Sequence, residues 1–185
     1  MLQTKPIILL DRDGVINQDS DAYVKSVDEW IPLPGSIKSI AALSKAGFQV
    51  FVVTNQSGIA RGYYDEATLN AMHDKMKALV AKEGGSIAGI EYCPHGPDDN
   101  CSCRKPKSGM IEAIETQLGL SFETMPAIMV GDSLRDLQAG KARGCSPVLV
   151  LTGNGRETQY KAIDFHFEIY TDLAAFTIST LHKYL

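Results

Sequence analysis

Ile7-Ile8-Leu9-Leu10-Asp11-Arg12-Asp13-Gly14 runs four consecutive apolar residues straight into two aspartates and a glycine. A short apolar run bounded by a turn signal reads as a strand buried on both faces. Such strands belong to parallel sheets covered by helices. The unit recurs along the chain. Phe48–Val53 is followed by Thr54-Asn55-Gln56-Ser57-Gly58, and Ala127–Val130 by Gly131-Asp132-Ser133-Leu134-Arg135-Asp136. Ile87–Tyr92 leads into a loop of cysteines and a histidine, Val148–Leu151 gives a fifth strand, and Phe165–Ile169 a short edge strand.

Helical signals fill the intervals. Ser36 is a candidate cap for a helix reaching Ala46, where Gly47 supplies a stop. Asp65 caps a long helix that carries Leu69, Met72, Met76, Leu79 and Val80 on one face and ends at Gly84-Gly85. Ser108 opens a helix with Ile111, Ile114 and Leu118 aligned, closed by Gly119. Further helices are expected over about 133–143 and from Asp172 onward. Strictly alternating strands and helices predict one α/β domain over 1–185, a Rossmann-like doubly wound parallel sheet. Five core strands in 185 residues leave no span for a separate cap domain.

Composition agrees with a soluble domain. The 44% hydrophobic content is that of a globular chain. With 22 acidic against 18 basic residues the net charge is −4, which disfavours nucleic acid and anionic membranes as partners. Arg104, Lys105 and Lys107 form the one tight basic group. No stretch approaches the ~18 apolar residues of a membrane span, and the first apolar run is too short for a secretion signal. The expectation is a cytoplasmic monomer with reduced cysteines.

Ligands of open α/β sheets bind beyond the carboxyl ends of the strands. Asp11 and Asp13 leave the first strand two residues apart, and Asp132 follows another. Read singly, these are turn residues and a helix cap. Together they crowd carboxylates that repel one another unless a cation joins them, and an all-oxygen set suits Mg²⁺. Thr54, Asn55, Gln56 and the amides around Ser57-Gly58 are placed to donate to phosphate oxygens. Lys105 offers a positive charge for a phosphoryl group in transfer.

Asp11-Arg12-Asp13-Gly14-Val15-Ile16-Asn17, Thr54-Asn55-Gln56-Ser57-Gly58-Ile59-Ala60-Arg61-Gly62, Cys101-Ser102-Cys103-Arg104-Lys105-Pro106 and Gly131-Asp132-Ser133-Leu134-Arg135-Asp136 resemble, in order, the four motifs of haloacid-dehalogenase-like phosphatases. The likeness extends over nearly the whole chain and is greatest to the subgroup of heptose bisphosphate and histidinol phosphatases. It implies that Asp11 attacks phosphorus and that Asp13 serves as acid and then base. It also implies that the Asp11 carboxylate, the Asp13 main-chain carbonyl and the Asp132 carboxylate hold Mg²⁺. Asp136 either ligates the metal through water or orients Lys105. The resemblance further places Asp19 and Tyr23 against the sugar, in a stretch one residue longer than the usual Asp-His-Gly-Tyr. Ser133 departs from relatives that carry Lys there, and Arg135 is expected to point elsewhere on its helix.

Cys93-Pro94-His95 and Cys101-Ser102-Cys103 offer three thiolates and an imidazole across a short loop, a closed tetrahedral set for structural zinc, or else unligated reduced cysteines. The subgroup carries a zinc loop here. Cys103 directly precedes Arg104 and Lys105, so fixing the metal would fix the lysine. Cys145 is a small buried residue.

Arg61, Arg104 and Lys105 exceed the needs of one phosphate, although Arg61 reads equally well as a solvated loop residue. With loops 19–30 and 93–103 shaping an open pocket, the expected substrate is a small phosphorylated sugar. The leading expectation is Mg²⁺-dependent hydrolysis of the 7-phosphate of D-glycero-D-manno-heptose 1,7-bisphosphate. The alternatives are histidinol phosphate as substrate and a non-catalytic zinc-loop binding module.

Overall fold

A computed structural model describes residues 4–185; the first three residues of the expected 1–185 domain lie outside them. The strands are β1 (Ile7–Leu10), β2 (Val50–Asn55), β3 (Gly89–Cys93), β4 (Ala127–Gly131), β5 (Ser146–Val150) and β6 (Glu168–Tyr170). The helices are α1 (Ser36–Lys45), α2 (Glu66–Lys82), α3 (Gly109–Leu118), α4 (Leu134–Lys141), α5 (Gly155–Lys161) and α6 (Leu173–Tyr184). All strand pairs are parallel, in the order β3-β2-β1-β4-β5-β6. The chain thus winds one way from β1 to β3 and then crosses back to β4, the doubly wound pattern expected from sequence.

Alternation along the strands divides the core into two layers. Ile8, Leu10, Val50 and Val52 meet Ile40 and Leu43 of α1, Leu69, Met72 and Met76 of α2, and Phe176 of α6. Ile7, Leu9, Phe51 and Val53 face the other way, onto Met110, Ile111 and Ile114 of α3 and Ala139 of α4. Each such large side chain, fully buried, contributes about 1.5–3 kcal/mol. No separate cap domain stands over the sheet among the described residues, and no helix is long and apolar enough to cross a membrane.

Several boundaries differ from expectation. The second strand begins two residues later because Phe48 belongs to the turn after α1, where its amide bonds Leu43 and its ring meets Tyr184. The strand also runs two residues past Val53, so Thr54 and Asn55 lie inside β2, in register with Tyr92 and Cys93. The third strand is likewise shifted, and the fifth starts two residues earlier than expected. The edge strand is only β6, since Phe165 and Phe167 pair with each other before it starts. Ser36 does not cap α1: Gly35 takes that place with φ +79°, and the Ser36 hydroxyl donates to Ile16 and Leu33 carbonyls. Helix α5 carries no apolar stripe in sequence and was not expected. Asp65 caps α2 as expected, accepting from the Thr68 amide.

Candidate active site

The switch in winding direction falls between β1 and β4, whose last paired residues are Leu10 and Val130. Asp11 and Asp132 leave these neighbouring strands side by side. Gly14 makes the approach possible: its φ is +83°, and a Cβ there would overlap the Asp132 carboxylate. Gly153, with φ +53°, lies against the same carboxylate from the loop after β5. Asp11, Asp132 and Asp136 each bring an oxygen within 4.8 Å of the others.

One buried cation offsets this concentration of charge. Lys105 is 2% exposed, and its Nζ lies 2.8 Å from Asp11 Oδ1, 2.7 Å from Asp136 Oδ1 and 2.7 Å from the Val53 carbonyl. Burial alone would lower its pKa, but Asp11 and Asp136 outweigh this and raise it. Burial and the neighbouring Asp136 lift Asp11 well above the ordinary carboxylate range. Asp132 is pushed up to about 7 by burial and Asp136, against the pull of the Asn154 amide. Asp136 is held at both ends, by Lys105 on one oxygen and by the Ser133 amide and hydroxyl on the other. Of the two roles open to it from sequence, the contacts are those of a residue that orients Lys105.

Asp13 lies in a different environment. Its carboxylate accepts from Arg12 Nη2 at 2.8 and 3.1 Å, Asn17 Nδ2 at 2.9 Å and Gln56 Nε2 at 2.8 Å. Burial raises its pKa, yet Arg12 and these hydrogen bonds outweigh it and hold the group below the ordinary value. Arg12 itself is fully buried, with His73 Nε2 3.3 Å from its Nη1.

A cavity of about 220 Å³ opens above these groups. Asp19, Tyr23, Asn55, Gln56, Ser57 and Arg104 lie on its wall. Asn55 is engaged, however: its amide brackets the Lys105 main chain, donating to the carbonyl at 3.1 Å and accepting from the amide at 3.0 Å. Thr54 is fully buried below the wall, its hydroxyl accepting from Gln56, because it belongs to the strand rather than to the loop. Arg61 lies outside the wall and is stationed 5.8 Å from the Tyr23 ring. Arg135 was expected to point away, but it lines the cavity, because Ser133 caps α4 and puts the first turn at the rim. Asn154 was missed. Its amide donates to Asp132 at 2.8 Å, and its side chain reaches both Asp132 and Asp19 at 3.2 Å. The strand-end rule applied to the loop after β5 was the signal that could have found it.

Beside the cavity, Cys93, His95, Cys101 and Cys103 bring one ligand atom each within 4.8 Å of the rest. Cys93 Sγ is 3.7 Å from Cys101 Sγ and 3.6 Å from His95 Nδ1. Sulfurs around a tetrahedral zinc are about 3.8 Å apart. Cys103 Sγ stands closer, 3.0 Å from Cys93 and 3.2 Å from His95. The four cysteines form no disulfide, and Cys145 is buried away from the group, as expected. Burial pushes the Cys93 thiol up to about 12.

Residues 102–176 match the HAD-hydrolase-like family model. The chain is 56% identical over 169 residues to a D-glycero-beta-D-manno-heptose-1,7-bisphosphate 7-phosphatase of Pseudomonas putida, covering 91% of this chain and 95% of that protein. The chain belongs to the haloacid-dehalogenase-like phosphatases. A crystal structure of D,D-heptose 1,7-bisphosphate phosphatase from B. bronchiseptica, complexed with magnesium and phosphate, superposes with a TM-score of 0.91 at 52% identity, over 96% of this chain and 99% of that one. A second, from Burkholderia thailandensis, gives 0.72 at 42% identity over the same shares.

The donor chemistry of this haloacid-dehalogenase-like site fits magnesium. Asp11 and Asp132 are hard oxygen ligands, both raised in pKa by burial and by the neighbouring Asp136 carboxylate, a crowding that a divalent ion would relieve. The Asp13 side chain is turned to Arg12.

Proposed function

We propose that this chain removes the 7-phosphate of D-glycero-β-D-manno-heptose 1,7-bisphosphate, with Mg²⁺ as cofactor and zinc as a structural ion. The observation that carries the reading is Asp11 at the β1/β4 switch point, paired with buried Lys105 and flanked by Asp132. The choice of sugar and of the β anomer is supported by what the 56% identical relative is named for. Asp11, the Asp13 carbonyl and Asp132 would hold the Mg²⁺, which supplies charge to the phosphoryl oxygens and to the nucleophile. Cys93, His95, Cys101 and Cys103 would hold the zinc.

Asp11 Oδ1 accepts from both Lys105 Nζ and the Arg12 amide, each at 2.8 Å, which leaves lone pairs free on Oδ2. An Asp11 oxygen bonds to phosphorus while the bond from phosphorus to the sugar oxygen breaks, and that oxygen takes a proton from Asp13. Asp13, then a carboxylate, takes a proton from water as the water oxygen attacks phosphorus. The bond from phosphorus to Asp11 breaks, and inorganic phosphate leaves. The contacts of Asp13 with Arg12, Asn17 and Gln56 stabilise the carboxylate, the form needed in the second step; carrying a proton in the first step requires them to loosen. Lys105 balances the charge that develops on the phosphoryl group. Ser57 and Arg104 receive the transferred phosphate, Gln56 being engaged with Asp13 and Thr54, and Asp19 and Tyr23 receive the sugar.

Phosphate release from a panel tests the assignment: both anomers of heptose 1,7-bisphosphate, histidinol phosphate and fructose 1,6-bisphosphate, each with Mg²⁺ and with chelator. The β-heptose bisphosphate is expected to be turned over with the highest kcat/KM. A preference for histidinol phosphate overturns the sugar assignment. Wild-type turnover by Asp11→Asn overturns the covalent route.

A further inference from the structure

Arg12 is a fully buried cation whose guanidinium serves three partners. Nε and Nη2 face Asp13, and Nη2 also reaches Gln56 Oε1 at 3.3 Å. Nη1 meets His73 Nε2 at 3.3 Å. His73 comes from α2 and is 3% exposed. The Tyr92 ring of β3 closes over it at 6.2 Å between centroids. An arginine donates and never accepts, so Nε2 must be the acceptor and the imidazole must be neutral, with its proton on Nδ1. Burial, together with Arg12 and Lys77, drives the imidazole pKa down to about 3, in keeping with that form. A histidine is not needed to fill this space. An apolar residue of similar size could pack beside the Tyr92 ring, but it would leave a guanidinium N–H without an acceptor.

We infer that His73 is a positioning residue for Asp13: by accepting from Nη1 it fixes the rotation of the Arg12 guanidinium, and so the place of the carboxylate that activates water. The inference rests on the reading of Asp13 as the base that hydrolyses an Asp11-bound phosphoryl group. His73 touches no reacting atom. Its effect reaches the reaction through one intervening residue, and it falls on the second chemical step more than on the first.

Aryl phosphates separate the two steps. p-Nitrophenolate is a good leaving group and needs no proton from Asp13, so its first turnover reports attack by Asp11 alone. Steady-state release adds hydrolysis of the aspartyl phosphate. For His73→Leu, stopped-flow measurement with Mg²⁺ and p-nitrophenyl phosphate is expected to show a burst whose rate is within about twofold of wild type. Steady-state turnover is expected to fall by about ten- to a hundredfold, the range that misplacing a catalytic group produces. His73→Gln keeps an acceptor near the position of Nε2 and is expected to restore turnover to within about threefold. His73→Met replaces the Leu variant if that protein does not fold.

Equal losses in burst and steady state, or turnover within twofold of wild type in a folded Leu or Met variant, overturn the inference. Asp13→Asn distinguishes this failure from failure of the underlying reading. It is expected to show the same burst with a larger fall in turnover. Should Asp13→Asn lack that pattern, the base assignment falls and takes the positioning role with it.

Discussion

Replacing Lys105 with Met removes the one buried cation from among three carboxylates. Methionine has nearly the length of lysine, so the packing change is small and costs less than about 1.5 kcal/mol. The electrostatic change is large. Asp11 and Asp136 lose ion pairs of 2.8 and 2.7 Å and remain buried beside each other. Leaving one member of a buried pair uncompensated costs about 3–5 kcal/mol. That is a large part of the 5–15 kcal/mol that typically holds a domain folded. Urea titration at pH 8 without metal is expected to show this loss. The loss shrinks as pH falls, because Asp11, already raised in pKa by burial and Asp136, takes up a proton and relieves the repulsion. Added Mg²⁺ is expected to stabilise the variant more than the wild type, since the ion supplies the missing charge. Turnover should fall by about 10²–10³, the usual loss when one stabilising donor is removed from a charge-developing site. A stability change under about 1 kcal/mol at pH 8, or turnover within tenfold of wild type, would refute the role given to this lysine.

Other expectations follow from single contacts. Gly14→Ala would force a Cβ onto the Asp132 carboxylate at a positive φ; activity is expected to fall at least tenfold, with a rise in the Mg²⁺ concentration for half-maximal rate, measured by phosphate release. Cys103→Ser is expected to lower the melting temperature and the activity while leaving the Mg²⁺ dependence unchanged; metal analysis should find zinc in the wild type purified without chelator and little in the variant. For His73 the linkage has a definite sign. Its folded pKa, about 3, lies below the unfolded value of about 6.5, so its stabilising contribution is complete above pH 6.5 and is lost as pH falls toward 3. The stability difference between wild type and His73→Gln, from denaturant titrations, is expected to shrink by about 2–4 kcal/mol between pH 6.5 and 3.5; a constant difference would contradict a buried neutral imidazole.

What the sequence made legible, and what it did not, divides along a physical line. Apolar runs ending in charged loops locate strand ends, and strand ends in a doubly wound sheet converge. Asp11, Asp132 and the Lys105 loop could therefore be brought together without coordinates. The partner that a side chain selects once it arrives is set by packing between distant segments. Asn55 looked like a phosphate donor because the loop appeared to begin at Thr54. It brackets Lys105 instead, since β2 extends two residues further and carries it beside β3. Arg12 reads in sequence as a spacer between two aspartates; its contact with His73 joins residues 61 positions apart. Asn154 follows β5 by the rule that found the other loops, but Leu151-Thr152-Gly153-Asn154-Gly155 reads only as a turn. Helix α5 behind it, Gly155-Arg156-Glu157-Thr158-Gln159-Tyr160-Lys161, gives no helical period to mark where the turn ends.

Asp11 and Asp13 show what that packing adds to the motif. They are two residues apart, Asp11 buried and Asp13 half-buried, yet burial and like charges raise one while an arginine and two amides lower the other. Carboxylates driven apart in this way can take different parts in one reaction. The cations that separate them are chemically distinct. Lys105 is a point charge with three donors, shared between Asp11, Asp136 and a carbonyl. It can follow the charge on the nucleophile as a bond to phosphorus forms and breaks. Arg12 is a planar fork held on several edges, able to fix a carboxylate in direction as well as in charge. Exchanging the two cation types would therefore damage both steps even with net charge conserved. Arg12→Lys would leave Asp13 with an undirected partner and His73 without a fixed donor. Lys105→Arg would have to fit a planar group where Asp11, Asp136 and the Val53 carbonyl now surround a single ammonium. The motif specifies where the carboxylates stand; in the proposed mechanism the cation beside each one sets which step it serves.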